Sequence, residues 1–403
     1  LGLENPRRLA ALADNPQDRL RILHVAGTNG KGSVCAMLES ICRHAGMKTG
    51  LFTSPHLVSF RERIQVNRQL ISEPELARLA DTMRDLLTDC PTEIHPTFFE
   101  VVTVLALKHF AESKCEIVLL ETGLGGRLDA TNIVTPAAAI LTPVALDHQQ
   151  WLGDTLPKIA AEKAGIIKPR VPVISALQDN GARVVIEQAA AAQDAPLTFA
   201  DFAEPLNTPL AGEHQKQNAT LAAITAQSLG IAEHAIRDGL ANVHWPARGQ
   251  WHHEGERRIL LDAAHNPASM RALVDILKTD PTAQLPAVLL GMSGEKNWRE
   301  MCRLIAPLAA RVVAVPTSTQ KSQRPEIIAE TCGEFCAAEA APSVPEGLER
   351  LAGESLVVVA GSIYLVGEVM ERLNVSPQPE TDERGLNEWK MDDNAQPAPC
   401  RQD

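Results

Sequence analysis

A glycine-rich segment near the start of the chain has the residue types of a phosphate-binding loop. It consists of Gly27, Thr28, Asn29, Gly30, Lys31, Gly32 and Ser33. The apolar run Ile22–Ala26 before it favours a strand, and residues 33–45 after it favour a helix. Backbone N–H groups of such a loop turn towards phosphate oxygens, and the positive end of the helix dipole adds to the attraction. Lys31 can reach the terminal phosphates and Ser33 can contact phosphate or Mg²⁺, so the segment predicts ATP binding.

The loop departs in two places from the common phosphate-loop pattern. Val25 stands where that pattern has its first glycine, and Gly32 separates the lysine from the hydroxyl-bearing residue. A glycine-rich turn without a ligand is the alternative interpretation. The order of strand, glycine loop, lysine and helix favours the phosphate site.

Three titratable side chains further along have the types that phosphoryl chemistry uses. Glu121 lies at the end of a predicted buried strand, and ligand sites of open α/β sheets lie at the carboxyl ends of strands. His148 can bind a metal, although a lone histidine is also often a local hydrogen-bonding residue. Lys163 lies near the end of a helix expected at Leu156–Ala164, where a cation also offsets the helix dipole. We interpret these three residues, together with Lys31, as catalytic candidates.

The elements that must position these residues follow an alternating pattern. Short β-branched runs alternate with longer amphipathic segments, which predicts an α/β protein with a mostly parallel sheet. In the first part of the chain we expect strands at 22–26, 117–122, 137–142 and 171–175, and helices at 33–45, 73–87, 98–113, 156–164 and 217–229. After His244 a second, shorter series follows, with strands expected at 259–263, 287–291, 312–315 and 356–360 and helices at 267–277, 298–308, 325–335 and 363–373.

This pattern divides the chain of 403 residues into two folded domains and a tail. We expect residues 1–245 to form a phosphate-loop ATPase domain with a mostly parallel sheet, and residues 246–375 to form a smaller Rossmann-like α/β domain. Residues 376–403 are rich in Pro, Gln and Asp without an apolar period, so we expect a disordered tail. Because the chain opens at Leu1 rather than at a methionine, we also expect native residues before it.

The amino-acid composition argues against nucleic acid, membranes and zinc as binding partners of this protein. The formal net charge of −12 and the aromatic content of 3% argue against broad binding of nucleic acid. No apolar run approaches the ~20 residues that cross a bilayer, so no membrane segment is expected. The eight cysteines include no C-x-x-C pair, which favours reduced thiols in a cytoplasmic protein over a zinc site.

Six further strings give the chain a specific resemblance. They are T-S-P-H-L at 53–57, E-T-G-L-G-G-R-L-D-A-T-N at 121–132, L-D-H-Q-Q-W-L-G at 146–153, E-K-A-G-I at 162–166, P-A-R-G-Q at 246–250 and D-A-A-H-N-P at 262–267. With the G-T-N-G-K-G-S loop at 27–33, they resemble the Mur ligase superfamily, which forms amide bonds with ATP. Within it they resemble the folylpolyglutamate synthases, including the bifunctional dihydrofolate synthases. The resemblance runs in order from residue 1 to about residue 375.

The resemblance implies an ATP-dependent carbon–nitrogen ligase that works through an acyl phosphate. The γ-phosphoryl group of ATP would activate a carboxyl group, which an amine then attacks. Two Mg²⁺ ions are expected. By resemblance the ligands are Ser54, Glu121, His148 and Lys163, the last as a carbamate formed with CO₂.

The resemblance also implies residues that contact the nucleotide and the other substrates. Asn218, Arg248 and Asp262 resemble nucleotide-side residues, although a polar residue at a helix start also explains Asn218 and Asp262. The acceptor and glutamate sides would be formed by Thr97, Phe98, Phe99, Glu100, Leu128, Asp129, Ala130 and His265. Thr97 and Glu100 also have the spacing of a capping box, and an ordinary turn would explain Asp129. Tyr364 would either stack on adenine or pack in the core.

The leading hypothesis is a monomeric enzyme that adds L-glutamate to reduced folates and folylpolyglutamates, and also to dihydropteroate, with release of ADP and phosphate. A ligase acting on UDP-linked muramyl precursors shares the loop but usually carries a further domain before it, whereas 26 residues precede Gly27. A nucleotide-dependent switch would explain the loop but not Glu121, His148 and Lys163. The sequence leaves open whether one or both activities are present and which folate is preferred.

Overall fold

The computed structural model describes residues 2–88, 95–201, 206–281 and 284–377, together with Pro379, Glu383 and Leu386. Most of the predicted disordered tail therefore lies outside the described residues. Within the described part, the strands form one sheet of eight and one of six, both mostly parallel and flanked by helices. The predicted α/β class is thus confirmed. Of the helices described, none is long and apolar enough to cross a membrane.

The larger sheet carries the phosphate loop at its centre. Its strands are β1 (Ile22–Ala26), β2 (Thr49–Phe52), β3 (Ile64–Val66), β4 (Gln69–Leu70), β5 (Ile117–Glu121), β6 (Ala138–Leu141), β7 (Val173–Ala176) and β8 (Leu197–Ala200). The strand order is β4-β3-β2-β5-β1-β6-β7-β8, with β3 and β4 as an antiparallel hairpin at one edge. Because β5 and β6 flank β1 on opposite sides, the strand order reverses there, which is where open α/β sheets bind ligands.

Helices cover both faces of this sheet. They are α1 (Glu4–Leu12), α2 (Lys31–His44), α3 (Glu73–Thr88), α4 (Phe98–Glu112), α5 (Gln149–Leu152), α6 (Leu156–Ala164), α7 (Asn180–Ala192), α8 (Glu213–Ser228) and α9 (Glu233–Ala241). The apolar residues of α2, α8 and α9 form one core with the sheet, and those of α1, α3 and α4 form another. Every residue of β1 and β5 is buried, as expected for parallel strands covered on both faces.

The smaller sheet has the same layered construction. Its strands are β9 (Gln250–Glu254), β10 (Arg257–Leu261), β11 (Ala287–Leu290), β12 (Arg311–Ala314), β13 (Ala337–Ala340) and β14 (Leu356–Ala360). Its helices are α10 (Pro267–Lys278), α11 (Trp298–Ile305), α12 (Pro325–Cys332), α13 (Val344–Arg350) and α14 (Ile363–Arg372). The order is β13-β12-β11-β14-β10-β9, in which only the β9–β10 pair is antiparallel. The predicted domain boundary at residue 245 falls between α9 and β9 and stays a prediction.

Reciprocal caps begin two helices, and the spacing in the sequence predicts the one at Thr97. The Thr97 side chain accepts a hydrogen bond from the Glu100 N–H, and the Glu100 carboxylate accepts one from the Thr97 N–H at 2.6 Å. Asn266 caps α10 in the same reciprocal way with Ser269. By contrast, α2 begins at Lys31 rather than at Ser33, so the lysine of the phosphate loop lies in the first helical turn.

Two described residues of the C-terminal segment contact the larger sheet's unit. The Glu383 carboxylate accepts hydrogen bonds from the Phe60 N–H at 2.5 Å and from Ser59 Oγ at 3.0 Å. Leu386 packs against the core formed by α1, α3 and α4. Donor groups of Ser59 and Phe60 and an apolar surface hold these two residues, and the disorder expected for residues 376–403 stays a prediction.

Candidate active site

A cavity of about 660 Å³ lies between the two sheets and gathers nearly all of the predicted site residues. Its walls include Thr28, Asn29, Gly30, Lys31, Gly32, Ser33, Ser54, Thr97, Phe99, Glu100, Glu121, Leu128, Asp129, Ala130, His148, Lys163, Asn218, Arg248, Asp262 and His265. Phe98 is the predicted residue that lies elsewhere, because its ring packs against that of Phe60 with 5.9 Å between centroids. Tyr364 also lines the cavity. Both sheets therefore face one common space.

The phosphate loop is braced by helix α8. Gln215 is buried and donates from Nε2 to Ser33 Oγ at 3.3 Å, and Asn218 Nδ2 donates to Gln215 Oε1 at 3.0 Å. Asn218 also lies against Gly30, where an added Cβ would be 2.6 Å from Asn218 Oδ1. In this structure Asn218 thus supports the loop, and its contact with a nucleotide stays a prediction. Gln215 is a site residue that the sequence interpretation missed.

Lys31 and Glu121 face each other at the carboxyl ends of β1 and β5. Lys31 Nζ lies 3.9 Å from Glu121 Oε1 and donates to the Thr28 carbonyl at 3.3 Å. Glu121 is buried, and its Oε2 accepts the Ser54 N–H at 3.3 Å. Burial raises the pKa of Glu121 to about 7, although Lys31 and the Ser54 N–H favour the charged form. Lys31 and the Ser54 N–H therefore do not fully offset the cost of burying the charged Glu121 carboxylate.

This arrangement fits a Mg²⁺ ion that enters with ATP. The described residues contain no group of three His, Cys, Asp or Glu side chains that could hold a metal ion by themselves. Mg²⁺ usually takes one or two protein carboxylates and completes its shell with water and substrate phosphates. Glu121 supplies such a carboxylate, and the hydroxyl-bearing Ser33 and Ser54 line the same cavity.

Lys163 is buried beneath the phosphate loop. Its Nζ donates to the Gly27 carbonyl at 2.8 Å, and 4% of the residue is exposed. Burial, with the nearby charge of Lys31, lowers the pKa of Lys163 to about 7. A role confined to offsetting the helix dipole does not explain this environment, because that role needs no burial of the amine.

His148 belongs to a charged cluster that spans the cleft. The buried carboxylate of Asp147 accepts hydrogen bonds from Lys296 Nζ at 2.6 Å and from Asn266 Nδ2 at 3.2 Å. Lys296 Nζ also lies 3.0 Å from His148 Nε2, and His265 Nε2 lies 3.6 Å from Asp147 Oδ2. Burial, followed by the charge of Lys296, lowers the pKa of His148 to about 4, so this imidazole is neutral.

Asp147 and Lys296 are site residues that the sequence interpretation missed. A signal for Asp147 existed, since it lies beside His148 in the L-D-H string. Lys296 follows β11 in a loop without a recognisable motif, and it is 149 residues away from Asp147 in sequence. Only the packing of the two sheets brings these opposite charges together.

Arg248 and Asp262 approach the cavity from the smaller sheet. Asp262 accepts the N–H groups of Gly249 at 2.7 Å and Ala264 at 2.9 Å, so it holds the loop that carries Arg248. Burial lowers the pKa of Arg248, while the charge of Asp262 opposes that effect. Asp262 therefore holds Arg248 at the cavity wall, and direct contacts of Arg248 and Asp262 with a nucleotide stay predictions.

The wall predicted for the acceptor is formed by α4 and the loop after β5. The ring of Phe99 lies 6.0 Å from that of Phe52, and a Cβ at Gly123 would be 2.6 Å from Phe99 Cζ. Phe99, and not Phe98, therefore supplies the aromatic surface. Asp129 is buried at the same wall and accepts the Leu124 N–H at 2.8 Å.

Comparisons with known proteins agree with this geometry. The family profile of the Mur ligase middle domain matches residues 25–204, and that of the Mur ligase glutamate ligase domain matches residues 247–363. The dihydrofolate synthase/folylpolyglutamate synthase of Bacillus subtilis is 31% identical over 92% of this chain and 95% of its own length.

Solved structures give the same assignment. The folylpolyglutamate synthase of Mycobacterium tuberculosis, complexed with ADP and AMPPCP, superposes with a TM-score of 0.88 at 26% identity, over 94% of this chain and 96% of the other. The E. coli protein FolC, in complex with DHPP and ADP, superposes with a TM-score of 0.85 at 30% identity, over 93% and 94% of the two chains. The chain belongs to the dihydrofolate synthase/folylpolyglutamate synthase family of the Mur ligases.

Proposed function

We propose that this chain is an ATP-dependent ligase that joins L-glutamate to the carboxyl group of a folate, with release of ADP and phosphate. One observation carries the proposal. A single cavity places Lys31, Glu121 and Lys163 of the larger sheet opposite Arg248 of the smaller sheet. A reaction that joins three substrates needs such a shared space, because positioning supplies much of the rate enhancement.

The chemistry has two steps. The γ-phosphoryl group of ATP passes to an oxygen of the acceptor carboxylate and gives an acyl phosphate. The amine of glutamate then attacks the acyl carbon, the C–O bond to phosphate breaks, and the amine loses a proton. Lys31 and Arg248 would neutralise the phosphate charges from opposite sides and hold the transferred group in line.

Mg²⁺ would neutralise negative charge on the phosphates, and Glu121 would help to hold the ion. We propose Ser54 and Glu121 as its protein contacts, with Ser33 nearby. We further propose a second Mg²⁺ at His148 and a carbamylated Lys163. The low pKa of Lys163 supports the carbamate, since CO₂ reacts with the uncharged amine.

The acceptor is proposed to include dihydropteroate as well as reduced folates. The B. subtilis relative carries both synthase activities in its name, and the E. coli structure contains DHPP and ADP. Phe99 and Asp129 would form the wall for the acceptor's ring system. A monomeric state and a cytoplasmic location stay predictions from the sequence.

The test is the dependence of phosphate release on the three substrates. A ligase should release phosphate from ATP rapidly only when both the acceptor and L-glutamate are present. With ¹⁸O in the acceptor carboxylate, one labelled oxygen should appear in the released phosphate, because the acyl phosphate transfers it. Phosphate release at the same rate with or without the acceptor and L-glutamate would support a nucleotide-dependent switch instead. Phosphate release that requires a UDP-muramyl acceptor would support the ligase acting on UDP-linked muramyl precursors.

A further inference from the structure

A buried chain of hydrogen bonds runs from the central strand of the larger sheet to the cavity wall. His24 lies in the middle of β1 with no exposed surface, and its Nε2 is 2.8 Å from Thr131 Oγ1. Thr131 Oγ1 is in turn hydrogen-bonded to Asp129 Oδ1. Asp129 lines the cavity, whereas His24 and Thr131 lie behind it. His24 and Thr131 can therefore act on a ligand only through Asp129.

The direction of the hydrogen bonds follows from the carboxylate. Burial raises the pKa of Asp129, and the N–H groups of Gly123, of Leu124 at 2.8 Å and of Thr131 at 3.0 Å oppose that effect. Because these N–H groups make the carboxyl oxygens acceptors, the Thr131 hydroxyl donates to Asp129 Oδ1. The hydroxyl oxygen then needs a donor from the other side, and that donor is His24 Nε2–H.

The protonation state of His24 suits its role as hydrogen-bond donor to Thr131. Burial, with a smaller effect of Lys168, lowers the pKa of His24 to about 3, so its ring is neutral and carries one N–H. Among the described residues no partner reaches His24 Nδ1, so the ring's one hydrogen bond is to Thr131. The tautomer with the proton on Nε2 is therefore the one that the environment selects.

We propose that His24 and Thr131 are positioning residues that hold the Asp129 carboxylate and, through its bonds to Gly123 and Leu124, keep the loop after β5 in the conformation that forms the acceptor wall of the cavity. The inference rests on the proposed function, since it names what positions the wall against which the acceptor binds. Because its donors already occupy the carboxylate, Asp129 acts on the acceptor by restraining the loop that lines the cavity. The donor chain from β1 provides that restraint from behind the wall.

The first experiment removes the hydroxyl without changing the shape of the side chain. Thr131→Val should raise the KM for dihydropteroate or tetrahydrofolate by about 10- to 100-fold, the usual effect of losing a hydrogen bond to a charged group. The kcat and the KM values for ATP and glutamate should change by no more than about twofold. Thr131→Ser keeps the hydroxyl and should restore most of the pterin affinity. Thr225→Val is the matched control, because Thr225 is buried and, among the residues that the structure describes, its hydroxyl bonds only the Leu221 carbonyl within α8.

A second variant tests the same chain of hydrogen bonds at His24, the residue farthest from the cavity. His24→Phe should raise the same KM, and combining it with Thr131→Val should add little, because both changes break one chain. Equal KM values for the pterin substrate in Thr131→Val and Thr225→Val, or full additivity with His24→Phe, would overturn the positioning role. Wild-type turnover decides the proposed function separately, so that function can stand while this inference fails.

Discussion

Burial and the charge of Lys31 together disfavour a protonated amine at Lys163. They lower its pKa to about 7, although Asp147, Asp129 and the Gly27 carbonyl that accepts from Nζ favour the charged form. Near neutral pH about half of such amines are uncharged, and the uncharged form is the one that adds CO₂. A carbamate would replace a cation beside the phosphate loop by oxygen ligands that suit Mg²⁺. The structure therefore supports the modification that the sequence motif suggested.

We predict that Lys163→Ala abolishes most synthesis while leaving the fold intact. A small carboxylate in solution should restore part of the activity by entering the vacated space. Decarbonated buffer should lower wild-type activity, and bicarbonate should return it. Lys158→Ala is the control, because Lys158 lies exposed on the same helix and pairs with Asp154. A high-resolution map of a fully active Mg²⁺–ATP form with a bare amine at Lys163 would refute the carbamate.

Glu121 predicts a pH-dependent stability when ligands and divalent cations are removed. Burial raises its pKa from 4.5 to about 7, so the folded state keeps a proton that the unfolded state loses between these values. The free energy of unfolding should therefore fall as pH rises from about 4.5 to about 7. Glu121→Gln removes this effect and should gain about 3 kcal/mol relative to wild type between pH 4 and pH 8. Denaturant titrations at both pH values measure the difference, and an equal offset at both would contradict the raised pKa.

At the scale of elements, the phosphate loop is held where β1, α2 and α8 meet. Gly30 is the N-cap of α2 with φ of +90°, and the side chain of Asn218 on α8 fills the space beside it. The loop conformation thus depends on a residue without a side chain at position 30. The left-handed backbone alone also favours glycine there.

We predict that Gly30→Ala raises the KM for ATP at least about tenfold, since the new Cβ would displace Asn218 and distort the loop. Gly46→Ala is the matched control. Gly46 has φ of +83° just after the other end of α2, but in the described part of the chain an added Cβ there meets no atom within 4 Å beyond its chain neighbours. Both variants should lose about 1 kcal/mol of stability from backbone strain. Equal KM values for ATP in the two variants would show that Asn218 does not support the loop.

Sequence periodicity predicted most strands and helices around the site but missed strands such as β2 and β13 and several helices, including α7. Strand β1 follows from an apolar run that is fully buried, and helix α4 follows from an apolar run in which most residues are buried. Strand β2 contains only four residues including Gly50, and β13 is an edge strand of alanines and one glutamate. Such segments have little strand propensity of their own, and pairing with a neighbouring strand decides their structure. The residues of one such segment therefore do not show that it forms a strand.

At the scale of the whole molecule, the two sheets are connected across the cavity by polar side chains. The amide groups of Asn29 and Asn266 bond each other at 2.9 and 3.3 Å, and Asp147 pairs with Lys296 at 2.6 Å. The sequence motifs predicted the separate halves of the site, because each half lies within one local string. The pairing of the halves could not be predicted, because residues far apart in sequence form it and no local periodicity marks it.

We predict that ATP and the acceptor together draw the two units closer, because Arg248 and the phosphate loop line one cavity and in the proposed function would bind the same phosphates from opposite sides. Small-angle scattering with a non-hydrolysable ATP analogue and tetrahydrofolate should show a smaller radius of gyration than the free protein. Arg248→Ala should reduce this compaction. An unchanged profile in the wild type, with both ligands demonstrably bound, would contradict ligand-driven closure.

In the proposed function, one cavity joins glutamate to a pterin-bearing carboxylic acid at the expense of ATP. Mass spectrometry can test this on the product formed from ATP, Mg²⁺ and L-glutamate with either dihydropteroate or tetrahydrofolate. We predict an acceptor that is heavier by one glutamyl residue, in amounts equal to the ADP and phosphate released. ATP consumed without any glutamylated product from either acceptor, in a folded preparation that binds the nucleotide, would contradict this function.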